Sequence, residues 1–203
     1  KRNLVKFQKL ISVLLHPIVL PTIGVILYFL ILPHSIKREQ RYFIIGFIFT
    51  TTYLVPLGIL ILLKGLKLIQ NFQVHTIKER KIPLLLMILL FTVLGNILLR
   101  TIVFGDFGML FYGTSFGLII VYLFSIFNIK VSLHLLSIGS MVGFFMVMGL
   151  EYMTAVIPVL LLLILFSGLL ASSRLHLKAH TPKEVYMGFF FGIMTQIAVY
   201  YLL

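Results

Sequence analysis

Apolar residues in this chain run on in long blocks, with short polar connectors between them. The blocks lie near Leu10–Leu32, Tyr42–Leu63, Ile82–Leu99, Phe107–Phe127, Val131–Leu150, Met153–Ala171 and Val185–Leu203. An apolar run of about 20 residues crosses a bilayer as an α-helix, because the helix satisfies every backbone polar group within the segment. The pattern predicts an all-α fold, a polytopic transmembrane bundle of about seven spans, with residues 1–203 forming a single integral membrane domain. Leu10–Leu32 reads as the first span rather than a signal peptide, since no small-residue cleavage pattern follows it. Pro17, Pro21, Pro56 and Pro158 predict kinks or breaks, while Pro83 and Pro182 suit the first turns of the helices they precede. Gly139 and Gly143 offer a surface on which two helices can approach closely.

Composition agrees with this reading. The chain is 61% hydrophobic and 11% charged, with a mean hydropathy of +1.15, too few charges to cover a soluble exterior. A net charge of +12 has no soluble basic module to carry it, so anionic lipid headgroups, and no nucleic acid, are the expected partners. The absence of cysteine excludes disulfides, thiolate nucleophiles and sulfur-ligated zinc. With seven crossings, the amino terminus, Lys64–Lys81, Asn128–Lys130 and Ser172–Glu184 share one face. Lys37, Arg38, Arg41 and Arg100 lie opposite, and the other thirteen of the seventeen Lys and Arg residues fall on the first face. The positive-inside rule makes that face cytoplasmic.

The polar residues of that face carry the candidate chemistry. Arg174 and His180 flank the connector between the sixth and seventh spans, and His134 opens the fifth, so the three can converge over a shallow cleft. A guanidinium presents fixed donors to phosphoryl oxygens, and neutral imidazole attacks phosphorus and tolerates a covalent phospho-intermediate. Glu184, four residues after His180, is spaced to accept the second imidazole proton. His134 is left to protonate a departing alkoxide. Lys78, Arg80 and Lys81 can add positive charge around the transferring phosphoryl group. His16, His34, His75 and His176 read as interfacial or helix-facing residues without a catalytic role. No metal or other cofactor is expected, because no span pairs histidines and carboxylates at ligand spacing.

The segment Ser173-Arg174, five residues, His180, three residues, Glu184 resembles the third motif of the type 2 phosphatidic acid phosphatase superfamily, where the last position is Asp. Val131-Ser132-Leu133-His134 is similar to the family's second motif, Pro-Ser-Gly-His, with the proline and glycine replaced. The first motif, Lys, six residues, Arg-Pro, has its nearest counterpart in Lys78-Glu79-Arg80-Lys81-Ile82-Pro83, without the upstream lysine at the family's distance. The resemblance covers residues 78–188. It implies a core like that family's, His180 as nucleophile, Glu184 as its orienting acid, His134 as general acid, and Arg174, Ser132, Arg80, Lys81 and Lys78 as phosphate ligands. It further implies a lipid phosphomonoester or isoprenoid diphosphate as substrate, and a site at the outer face, opposite to the charge count. Two other readings fit the same sequence: a degenerate relative that binds lipid phosphate without turnover, and a transporter. Against the latter, Arg100, Asp106 and Glu151 all fall near the ends of their spans.

Overall fold

A computed structural model describes residues 2–33, 35–71 and 77–203, with the side chains of Arg2, Asn3 and Lys78 left out. His34 and His75 therefore lie outside the described residues, as does the side chain of Lys78. The described residues are helical, in the order α1 (Arg2–Leu14), α2 (Leu20–Ile31), α3 (Arg38–Phe49), a π-helical turn (Thr50–Leu54), α4 (Val55–Gly65), α5 (Ile77–Leu99), α6 (Gly105–Ile126), α7 (Leu133–Glu151), α8 (Ile157–His176) and α9 (Pro182–Leu202). Among the described residues, six stretches are long and apolar enough to cross a membrane: Arg38–Gly65, Glu79–Leu99, and α6 to α9. A seventh apolar helix, α2, has 12 residues.

The expected first span is thus two helices. Pro17 has no N–H to donate and disfavours helical geometry at His16, so α1 stops at Leu14 and the chain turns through residues 15–19 before α2 starts. Pro56 is handled differently. The π-helical turn just before it widens the helix where the proline would otherwise meet the carbonyl of Thr52, and α3 and α4 join into one continuous stretch. Thr51 and Thr52 donate their hydroxyls to the carbonyls of Phe47 and Ile48, so they stay satisfied within the apolar stretch. At the third block α5 begins at Ile77, earlier than the hydropathy suggests, which leaves Pro83 inside the helix instead of in its first turn.

The most enclosed of the six is α7, which packs on α9, α8, α6 and α2. It runs parallel to α9, with Gly139 against Phe189 and Gly143 against Ile193. The contact is backbone on backbone. A Cβ on Gly139 would strike the carbonyl of Phe189, one on Gly188 the carbonyl of Ser132, and one on Gly192 the carbonyl of Leu136. Where lipid gives helices no hydrophobic reason to associate, such close packing is what holds them. The outside is paved with exposed apolar side chains, such as Leu89 and Val93 on α5 and Leu161 and Leu165 on α8, as a lipid-facing surface requires.

At the end of the bundle where α7 finishes, the Tyr28 and Tyr152 hydroxyls both donate to Asp106 Oδ2 at 2.6 Å, and Tyr200 donates to Glu151. These bonds tie α2, α6 and the carboxyl end of α7 together. The catalytic candidates gather at the other end.

Gly192→Val should lower the thermal midpoint in detergent by on the order of 5 °C, because the side chain cannot enter the α7–α9 contact without parting the helices. Gly58→Ala, where an added Cβ meets nothing within 4 Å, should leave the midpoint within about 2 °C. Equal effects of the two changes would show that the glycine contact does not hold the bundle.

Candidate functional site

The site begins with how α8 ends and α9 starts. α8 runs to His176, so Arg174 stands on its last turn. The chain then reverses through Lys178, whose φ of 51° is left-handed, while the amides of Lys178 and Ala179 bond back to the carbonyls of Leu175 and Arg174. Thr181 caps α9: its hydroxyl accepts from the Glu184 amide at 3.4 Å, and Pro182 takes the first helical position. In a capping box the residue at Glu184's position would turn its side chain back to the cap amide. Here the carboxylate reaches one residue further, and His180 Nδ1 donates to Glu184 Oε2 at 2.6 Å. That bond assigns the proton of a neutral imidazole to Nδ1 and leaves the lone pair on Nε2.

Two backbone and side-chain contacts bind this turn to the start of α7. The Ser132 amide donates to the Glu184 carbonyl at 3.1 Å, and Lys130 Nζ donates to the Ala179 carbonyl at 2.9 Å. His134, in the first turn of α7, donates from Nε2 to the backbone carbonyl of Ser12 at 3.2 Å, and its ring meets that of His16 edge to face, centroids 5.1 Å apart. Arg174 Nη1 donates to Ser12 Oγ at 2.7 Å, while its buried Nε has no partner.

One cavity of about 190 Å³ joins these groups. Its polar wall is made by His180, His134, Arg174, Arg80 and His16. Its remainder is mostly apolar, reaching between the helices along Leu60, Pro83, Leu84, Met87, Phe91 and Leu118, with Thr114 and Ser137 among them. Thr52, at the π-helical turn, also faces it. Of the residues singled out in the sequence, His180, His134, Arg174 and Arg80 are brought to this cavity. Glu184 stands behind His180. Ser132 is fully buried beneath the α7 start, with its hydroxyl unpartnered. Lys81, half-buried on α5, does not line the cavity.

Three residues of the site escaped sequence reasoning. His16 was read as an interfacial residue, yet it lines the cavity against His134. Ser12 touches both His134 and Arg174. Lys130 lies close enough to His180 and Arg80 to perturb the titration of His180 and its own. The one sequence signal for them is position: Lys130 stands four residues before His134, and His16 precedes a helix-breaking proline.

Electrostatics at the site favour neutral His180 and His16 and a bound anion. Burial pulls the His180 pKa down from 6.5 to about 4, with the Glu184 hydrogen bond opposing and the charges of Lys130, Arg174 and Arg80 assisting. His16 is lowered by burial and by Arg174. Burial lowers Lys130 as well, with Arg80 reinforcing and Glu184 opposing. Arg80 and Lys130 both feel the charge of Glu184, which is already engaged by His180, and with Arg174 close to Arg80 the gathered positive charge suits a phosphate. Among the described residues, no three His, Asp or Glu side chains converge as a metal ion would require.

Comparison of the chain with protein-family models, with curated proteins and with solved structures returns no match.

His180 should titrate near pH 4, not near 6.5, when followed by NMR of its imidazole carbons. Glu184→Gln should push it lower still, because the carboxylate is the group that opposes burial. The folded value lies below the unfolded one, so the unfolded chain binds the extra proton between those limits. Stability should therefore be complete above about pH 6.5 and decline as pH falls toward 4, with His16 adding in the same direction. His180→Gln should flatten that decline in a series of thermal melts. A His180 that titrates at the free imidazole value would contradict the burial and bonding described.

Proposed function

We propose that the protein is a membrane lipid phosphatase acting through a phosphohistidine at His180, a divergent relative of the type 2 phosphatidic acid phosphatases with a core of that type. The observation that carries this reading is the one cavity in which three imidazoles and two guanidiniums meet the mouth of an apolar gallery. A phosphate that arrives on a hydrocarbon tail has both of its needs met there. The charged head lies among Arg174, Arg80 and the histidines, and the tail lies along Leu84, Met87 and Phe91. The substrate class is a lipid phosphomonoester or an isoprenoid diphosphate, drawn from the surrounding bilayer.

In the first step the lone pair of His180 Nε2 attacks phosphorus. The N–P bond forms as the bond to the leaving oxygen breaks. The lipid alkoxide of a monoester, or the isoprenoid monophosphate of a diphosphate attacked at its terminal phosphorus, departs with a proton supplied by His134, which is in its imidazolium form once the substrate's negative charge lies beside it. Glu184 holds the His180 Nδ1 proton and balances the positive charge that the ring acquires. Arg174 and Arg80 take up the charge on the equatorial oxygens. In the second step His134 accepts a proton from water, the water oxygen bonds to phosphorus, the N–P bond breaks and inorganic phosphate leaves. The depressed pKa of His180 keeps the nucleophile unprotonated at neutral pH, which is the form the attack requires.

His180→Ala should abolish phosphate release from a panel of lipid phosphates assayed in chelator, and Arg174→Ala should reduce kcat/KM by about 10²- to 10³-fold. His134→Ala should slow lipid substrates by about 10²-fold or more and spare p-nitrophenyl phosphate, whose leaving group needs no proton. An acid-labile, base-stable phosphoryl label on wild type that vanishes in His180→Ala identifies the intermediate. Wild-type protein that binds phosphate without releasing it from any lipid would leave a binding protein in place of the enzyme.

A further inference from the structure

We infer that the amino-terminal helix completes the phosphate site, with Ser12 as a positioning residue for both Arg174 and His134; the assignment rests on the phosphate-binding reading of the cavity. α1 exposes Leu4, Phe7, Leu10, Val13 and Leu14 together with Lys6 and Lys9, while Gln8 and Ser12 are buried against α8. Two polar side chains of this helix thus face the protein. Ser173 Oγ donates to the Gln8 carbonyl, which fastens α1 one turn before Ser12.

Ser12 then meets two site residues. Its hydroxyl accepts from Arg174 Nη1 at 2.7 Å and lies 3.5 Å from His134 Nε2, while its carbonyl makes the shorter contact with that nitrogen, accepting at 3.2 Å. A guanidinium has five N–H donors in a rigid fork, so tethering Nη1 sets the plane and direction of the other edge. On that edge the buried Nε has no protein partner, and a buried unpartnered donor is costly until an acceptor arrives. A phosphate oxygen in the cavity supplies that acceptor. The Ser12 carbonyl can only accept, so Nε2 of His134 holds its proton there, and Nδ1 becomes the nitrogen that gains and loses the transferable one. Ser12 thereby does for His134 what Glu184 does for His180, with a backbone dipole in place of a carboxylate.

The test uses the full chain in detergent and two readouts. The first is thermal stabilisation by titrated inorganic phosphate, which needs no turnover. The second is the kinetics of phosphate release from a lipid phosphomonoester. Ser12→Ala should weaken phosphate binding about tenfold and raise KM to match, with kcat within about threefold, because the backbone carbonyl that serves His134 remains. Ser12→Thr, which keeps the hydroxyl, should stay within about twofold of wild type. If Ser12→Ala binds phosphate as wild type does, or if Ser12→Thr loses as much as Ser12→Ala, the assignment is overturned. Wild type that binds phosphate without hydrolysing lipid phosphates, while Ser12→Ala loses binding, would refute turnover and uphold the role of Ser12. Wild type that does not respond to phosphate would overturn both.

Discussion

The backbone-to-backbone contact of α7 and α9 is the constraint on which the rest of the structure depends. Four glycines, Gly139 and Gly143 on one helix and Gly188 and Gly192 on the other, let the two axes come closer than any side chain would allow. Because the helices are parallel, their amino termini come to the same end of the bundle. His134 is in the first turn of one, and His180 immediately precedes the cap of the other. The positive ends of both helix dipoles point the same way, adding their partial charge to that of Arg174, Arg80 and Lys130. A hydrogen bond from the Ser132 amide to the Glu184 carbonyl then fixes the axial register of the pair. Geometry at the site is therefore inherited from the middle of the bundle, where no polar chemistry takes place.

What could be read from the sequence was the part encoded locally. The run from Ser173 to Glu184 carries its own turn, cap and His–Glu pairing within twelve residues, so spacing alone was enough to suggest the bond that the structure contains. Long apolar blocks likewise announce membrane helices, whatever their partners. Gly139 and Gly143 stood out as small residues on an apolar face, although the sequence did not name Gly188 and Gly192 as the surface they meet.

Longer-range features were not legible, for physical reasons that differ from case to case. Ser12 lies 162 residues from Arg174, and a serine in an otherwise apolar stretch gives no sign of what it will face. Hydropathy averaged over a window passed smoothly across Leu10–Leu32 because Pro17 and Pro21 are not polar. Their effect is on backbone hydrogen bonding, and it divided one expected span into an arm and a short helix. Lys130 looked like any interfacial base until folding brought the α8–α9 turn beside it. Lys81 shows the converse, since adjacency to Arg80 in sequence places it about 100° away around α5.

The division of that first block has a consequence for how the chain crosses the membrane. α2 has 12 residues, a rise of about 18 Å, against a hydrocarbon layer of about 30 Å. Its far end is tied through Tyr28 to the Asp106 cluster at the opposite end of the bundle. The distance that α2 leaves is made up by the turn of residues 15–19, whose His16 packs edge to face on His134 in the first turn of α7. That turn is non-helical backbone at a depth where a spanning segment is ordinarily helical, and such backbone is tolerated in a bilayer only where protein or a cavity covers it. His16, Pro17 and Ile18 line the cavity and the Ile18 amide donates to His16 Nδ1, so the break in this crossing opens toward the protein's interior and not toward the acyl chains.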